Sequence, residues 1–373
     1  MRVQPAGADS YQSNRNNHMK YLIVQNWAST SGNHTGMVHM CHLLSSLYPN
    51  KYKVAIMDYV PQYHKDTNVF KRKLLNLKYR YCDLPKLYRQ KYLLLCKDIF
   101  SNVRAGDEFF LLEYLLPNVP QYDLAVYIRT HYPYVQIYGL IHLTPTYFNT
   151  RFFVGRMIRK WAKPIDKVLT LGTGLSSYLC RKGHLPKYKI STGFHYVDLD
   201  YYHLRNSNEI DKVTIIVMGN LQRDFHMIAS IVRRLPEFDW IICQGRAHYE
   251  KLFADCQGNV SIKGYLEESE LRHLMSISDL SLNVMQDTVG SNVVTTSMAM
   301  GLGMVVSDVG SIHDYCTVEN AVFCKNDVDS FVSAIKMLSA DKERIKRMKN
   351  SSYIMAERFN IKGIDKWFDT LRG

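Results

Sequence analysis

Between Ser281 and Gly310 the chain reads SLNVMQDTVGSNVVTTSMAMGLGMVVSDVG, and its polar residues fall where an anion could be held. Strand SLNVM runs out at Gln286 and Asp287, the turn Gly290-Ser291-Asn292 offers backbone amides, and a small-residue helix over Val293 to Met300 points its positive end at the turn. A second strand, MVVSDVG, closes a βαβ unit of the shape that holds nucleotides. An ordinary helix cap is the competing reading, and Ser291 or Asn292 can fill both roles.

Two parallel sheets must position such a unit. The first half opens with KYLIVQNW as a buried strand, a glycine loop ASTSGNHTGM and a helix VHMCHLLSSLY; Lys53 to Met57, Glu108 to Leu112, Val135 to Leu140 and Lys167 to Leu171 supply four more strands. The rhythm restarts with KVTIIVMGN, WIICQG, SIKGY, LSLNVM, MVVSDVG and AVFC, separated by helices over Phe225 to Arg234 and Glu268 to Ser276. The expectation is an α/β chain of two doubly wound, Rossmann-like parallel-sheet domains facing a central cleft, joined near Asp198 to Asp211, with ligands at the carboxyl ends of the strands. Residues 1–19 read as a disordered leader or tag, 20–197 as the first domain, 198–357 as the second, and 358–373 as a helix carrying Trp367, Phe368 and Leu371 back onto the first.

Composition limits the function. A chain of 373 residues with 46% hydrophobic content builds two cores of ordinary size, and none of its apolar runs is long enough for a membrane span. Eight scattered cysteines without CxxC spacing fit buried free thiols in a reducing cytoplasm, and fourteen histidines without an HxxxH pair beside an acid give no reason to expect a metal or another cofactor. The net charge of +13 concentrates in Phe70 to Tyr92 and in Arg151 to Lys163, where cations alternate with leucines and aromatic residues. Both runs read as basic amphipathic helices suited to an anionic membrane surface or, more plainly, as solvated faces over a core. No signature of a nucleic-acid-binding fold accompanies the charge.

In order and spacing these segments resemble the GT-B glycosyltransferases of family four, from Tyr21 to about Trp367 and most strongly after Ile190. ISTGFHYVDLDYY is similar to the family's hinge strand with Gly-Val-Asp, KVTIIVMGNLQRDF to its diphosphate-holding strand, glycine and basic residue, and VSIKGYLEESELRHLMSISDLSLNVM to its Glu-Leu and Ala-Asp run. Ser-Met-Ala-Met-Gly matches the end of the donor motif, but alignment on Gly301 puts Thr288 and Thr296 where the family has two glutamates, with Asp287 one place early.

The resemblance implies a nucleotide-sugar donor, a glycan acceptor, a retaining reaction and no metal. It places Gly219, Asn220 and Arg223 on the diphosphate, with Gly290, Ser291 and Asn292 presenting amides to it and Thr296 doing part of a missing glutamate's work. His142 and Asp287 become the catalytic-site candidates, His142 by touching the transferred sugar and Asp287 by replacing the first glutamate. Gly32, Asn33, His34 and Gly36 form the loop facing the cleft, while Asp308, Asp314 and Glu319 are further carboxylates near in sequence. The leading expectation is a cytoplasmic glycosyltransferase, peripheral on the inner membrane face, acting on a lipid-linked glycan in cell-surface polysaccharide biosynthesis. A catalytically degenerate scaffold that binds a glycan or a partner is the alternative, and a nucleotide-sugar epimerase stands behind it.

Overall fold

The computed structural model describes residues 18–27, 32–116, 119–151, 155–203 and 210–372. Most of the expected leader, Phe152 and Phe153 of the second basic run, and part of the expected junction lie outside these residues. Two compact units result: one of residues 1–29, 41–140 and 163–166, the other of residues 30–40, 141–162 and 167–373.

Among the described residues twelve strands form two six-stranded sheets. The first takes β1 (Lys20–Gln25), β2 (Tyr52–Met57), β3 (Glu108–Leu111), β4 (Gln136–Ile141), β5 (Lys167–Thr170) and β6 (Ile190–Thr192) in the order β2-β1-β3-β4-β5-β6. The second takes β7 (Thr214–Met218), β8 (Asp239–Cys243), β9 (Asn259–Lys263), β10 (Leu280–Asn283), β11 (Gly303–Ser307) and β12 (Ala321–Cys324) in the order β12-β11-β10-β7-β8-β9. The pairings are parallel, as in β1 with β2 and β3, or β7 with β8 and β10. Strands covered on both faces need no polar alternation, which is why β1 reads KYLIVQ and is buried throughout.

In the first unit the helices are α1 (Met37–Leu47), whose opening residues belong to the second unit, α2 (Val69–Lys78), α3 (Leu84–Leu95), α4 (Lys97–Phe100) and α5 (Tyr122–His131). The basic run expected as one helix is two. A π turn over Tyr79–Asp83 separates them, placed where Pro85 withholds the amide that a continuing helix needs. Helix α3 buries Leu84, Tyr88 and Tyr92, whereas α2 has no buried residue.

The second unit holds α6 (Pro145–Arg151), α7 (Gly155–Ala162), α8 (Thr173–Gly183), α9 (Phe225–Arg233), α10 (Glu268–Ser276), α11 (Asn292–Ala299), α12 (Val328–Ser339), α13 (Lys342–Ala356) and α14 (Ile361–Asp369). Alternate residues of β7 serve opposite faces of its sheet: Ile215 and Val217 pack with α9 and α12, Ile216 and Met218 with Val294 and Met298 of α11. Helix α14 is fixed by Trp367, which donates from Nε1 to Oγ of Ser191 at 2.9 Å and covers Gly193, where a Cβ would strike the indole.

Candidate functional site

Strands β7 and β10 are sheet neighbours although two strands separate them in sequence, so the chain order reverses between them. A reversal point leaves a crevice at the carboxyl ends, because the connections on either side run away in opposite directions. A pocket of about 440 Å³ opens there, lined by the loop after β7, the turn after β10, the start of α11, and residues of the 142–147 stretch with His195. That volume suits a small organic ligand.

The loop after β7 bends through Gly219 and Gln222, whose φ values of 74° and 57° are both left-handed. Its strained shape is pinned: Gly219 N donates to Cys243 O at 3.2 Å, Gln286 N to Gln222 O at 2.9 Å, and Arg223 forms a bridge with Met285. Asp224 then caps α9 by accepting from Met227 N at 2.9 Å.

This geometry sends Arg223 into the pocket wall. Its Nη2 donates to Oδ1 of Asn283 at 3.2 Å and its Nη1 to Leu221 O at 3.2 Å, while Nε is sealed from solvent without a partner. Asn283 is itself held, donating to Oγ of Ser281, which accepts from Ser297 in α11. Burial lowers the guanidinium to about 10, so it stays charged at neutral pH. Asn283, Ser281 and Ser297 were not singled out in the sequence, since neutral residues inside a strand or helix carry no motif.

The turn after β10 brings Gly290, Ser291 and Asn292 into the pocket lining. Gly290 has φ of 111°, and a Cβ on it would collide with the Tyr315 hydroxyl, which accepts from His195 N at 2.8 Å and donates to Leu171 O. Ser291 sits at the N-cap of α11 in extended conformation without a side-chain capping bond, and Oδ1 of Asn292 is buried without a partner. The amide end of the helix therefore faces the pocket uncapped by Ser291.

Asp287 lines the pocket, but its carboxylate is engaged: Oδ2 accepts from Thr146 Oγ1 at 2.8 Å and Oδ1 from Thr288 N at 2.8 Å. Thr296 is not among the lining residues, and its hydroxyl returns to Asn292 O at 2.7 Å within α11. Asp314 is bonded to Thr173, Asp308 to His313, and neither they nor Glu319 line the pocket. Among the lining residues Asp287 is thus the single carboxylate and Arg223 the single guanidinium or ammonium.

His142 lines the pocket, and a second imidazole joins it. The ring of His195 lies 5.9 Å from that of His142, its Nδ1 is buried without a partner, and burial followed by the charge of His142 lowers it to about 3. His195 is therefore neutral at physiological pH. It stands in the hinge phrase and was not among the expected site residues.

Gly32, Asn33, His34 and Gly36 do not line this pocket. Asn33 Oδ1 accepts from Thr35 N at 2.8 Å and Oγ1 at 2.7 Å, while His34 pairs with Glu268 and His39 with Asp198. Burial pushes the Asp198 carboxyl up, but the His39 bond and the amides of Asp200 and Tyr201 leave it below the usual carboxylate range.

Two six-stranded parallel sheets with a pocket at the β7/β10 reversal define the GT-B glycosyltransferase architecture, and solved structures agree on the fold. Sucrose-phosphate synthase from Thermosynechococcus elongatus superposes with a TM-score of 0.69 at 11% identity, over 94% of this chain and 98% of that one. Anabaena HepE in complex with UDP and glucose gives 0.65 at 13% identity over 95% and 99%, and the lipopolysaccharide outer core galactosyltransferase WaaB gives 0.62 at 12% over 94% and 99%. Residues 212–341, which contain β7 through α12, match the family described as glycosyl transferases group 1. No curated protein matches the chain.

Proposed function

We propose that the pocket holds a nucleoside-diphosphate sugar and that the enzyme transfers its sugar, with retention, to a hydroxyl of a glycan carried on a lipid at the cytoplasmic membrane face. One observation carries the donor assignment: Arg223 Nε, Asn292 Oδ1 and His195 Nδ1 are all buried without partners around one pocket whose floor is a helix N-terminus. Buried polar atoms are nearly always satisfied, so three orphans at one pocket fit a ligand that supplies both acceptors and donors.

A diphosphate meets the first requirement. Its oxygens would accept from Arg223 and from the amides at the start of α11, and the charge that grows as the glycosidic C–O bond breaks is stabilised there. The acceptor oxygen bonds to the sugar carbon, and its proton passes to the departing phosphate. His142 and the neutral His195 would orient the sugar by hydrogen bonds and move no proton themselves. HepE was solved with UDP and glucose, which supports a uridine donor as the first to try.

The lipid-linked acceptor rests on α2. Phe70, Leu74 and Leu77 are exposed at helical spacing among Lys71, Lys73 and Lys78, and no acid occurs in the helix. A scaffold that binds the nucleotide without turning it over is the second reading, favoured by the engagement of Asp287 with Thr146 and Thr288.

Calorimetric titration with UDP, GDP and their sugars tests the donor site, with Arg223→Ala as control. Micromolar binding that weakens at least tenfold in the variant is expected. Binding without donor turnover in the presence of lipid-linked glycans would select the scaffold, and no nucleotide binding at all would overturn the donor site.

A further inference from the structure

A second cluster lies outside the pocket, built from segments far apart in sequence. His34 comes from the loop before α1, His39 from the first turn of α1, and Asp198 from the stretch after β6, yet one metal-ligating atom of each falls within 4.8 Å of the other two. Glu268, at the start of α10, adds a second carboxylate: its Oε2 is 2.6 Å from His34 Nδ1, while Asp198 Oδ2 is 2.8 Å from His39 Nε2. The two imidazole centroids are 4.6 Å apart.

The side chains are held in place from behind. Tyr201 stacks on His34 at 3.6 Å, Tyr202 donates its hydroxyl to Glu268 Oε1 at 2.6 Å, and Asp198 Oδ1 accepts from Asp200 N at 3.0 Å. Supporting bonds of this kind fix the ligands of a metal site. A separate observation points to something beyond the paired side chains. Tyr196 is 1% exposed and its hydroxyl has no partner, although it lies within electrostatic reach of both Asp198 and Glu268. A buried phenol normally finds a partner, and a water carried by a bound cation would be one.

We propose that His34, His39 and Asp198, with Glu268 beside them, bind a divalent transition-metal ion of the zinc type. Two imidazoles and a carboxylate suit such an ion, whereas magnesium and calcium prefer all-oxygen sets. Ligands about 2.0–2.2 Å from one ion stand roughly 3.3 Å apart, so binding draws the three ligand atoms together and lengthens the two short His–carboxylate contacts. An ion here ties the 32–36 loop to the segment after β6. No two of these ligands have the spacing of a metal motif, so nothing in the residue order marks the cluster.

Untagged full-length protein, stripped with chelator, is titrated calorimetrically with Zn²⁺ and separately with Mg²⁺, and X-ray absorption is recorded on the complex with one equivalent of Zn²⁺. One site per chain, imidazole scattering in the absorption spectrum and no Mg²⁺ binding are expected. Zn²⁺ affinity should fall at least tenfold in His34→Ala and in His39→Ala and hold in His248→Ala, whose side chain is 89% exposed. Where a histidine variant fails to fold by circular dichroism, the wild-type absorption spectrum decides: a zinc shell without imidazole overturns the site. The absence of a stoichiometric site, or one that survives both variants, also overturns it and leaves two hydrogen-bonded His–carboxylate pairs. Nucleotide titration of the same preparations reads the pocket separately, so the two assignments stand or fall apart.

Discussion

Asn283 decides how Arg223 is presented, because it is the side-chain acceptor that sets the guanidinium in the pocket wall. Replacing it by leucine keeps the volume but leaves Arg223 Nη2 without its side-chain acceptor and Ser281 Oγ with Ser297 alone. Loss of about 1–3 kcal/mol of stability is expected in urea denaturation, with a fall of about tenfold in nucleotide affinity by calorimetry. Glu113 gives a second test at this scale. Burial raises its carboxyl from an ordinary 4.5 to about 8, only partly offset by a hydrogen bond from Trp27. A folded carboxyl with a raised value binds a proton that the unfolded chain has already lost, so its contribution is complete below pH 4.5 and disappears as pH rises toward 8. Glu113→Gln, neutral at every pH, should flatten that slope and be the more stable protein at pH 8 by on the order of 4 kcal/mol. Melting curves from pH 5 to 8 check it; parallel curves for the two proteins would refute the buried acid.

At the scale of elements α2 stands out as a ten-residue helix without a buried residue, in which Phe70 is 81% exposed. Its two neighbours explain why the sequence read as one long basic helix: α2 and α3 share the same period, and only the π turn and Pro85 break it. Phe70→Ser combined with Leu74→Ser should abolish sedimentation with vesicles rich in anionic lipid and leave the melting temperature within about 2 °C. Wild-type binding should weaken steeply with salt, since each cation contributes on the order of 1 kcal/mol at such a surface. Binding that ignores both changes would remove the membrane from the reading. The strands were legible because parallel strands are uninterrupted runs of β-branched and aromatic residues, and β2 through β5 lie within a residue or so of their expected bounds. The turn at 290–292 was legible as a turn for a related reason, as Gly290 and the small residues of α11 answer local geometry. What stayed hidden is made by packing: the Asn283–Ser281–Ser297 relay, the engaged Asp287, and a histidine pair whose partners are separated by some two hundred residues.

For the molecule as a whole, the last helix is a tether. Trp367 fills the space above Gly193 and bonds Ser191, so Trp367→Ala should lower stability by about 3 kcal/mol, measured by chemical denaturation. An unchanged midpoint would show that α14 contributes nothing to the second unit. That unit is stitched from residues 30–40, 141–162 and 167–373, with His34 meeting Glu268 and His39 meeting Asp198. During synthesis the stretch around His34 leaves the ribosome long before Glu268 exists. At the usual pace of translation it waits on the order of ten seconds or more for its partner. The early segment of this chain therefore stays without its partner while most of the molecule is made, and the interval is one in which a chaperone has something to hold.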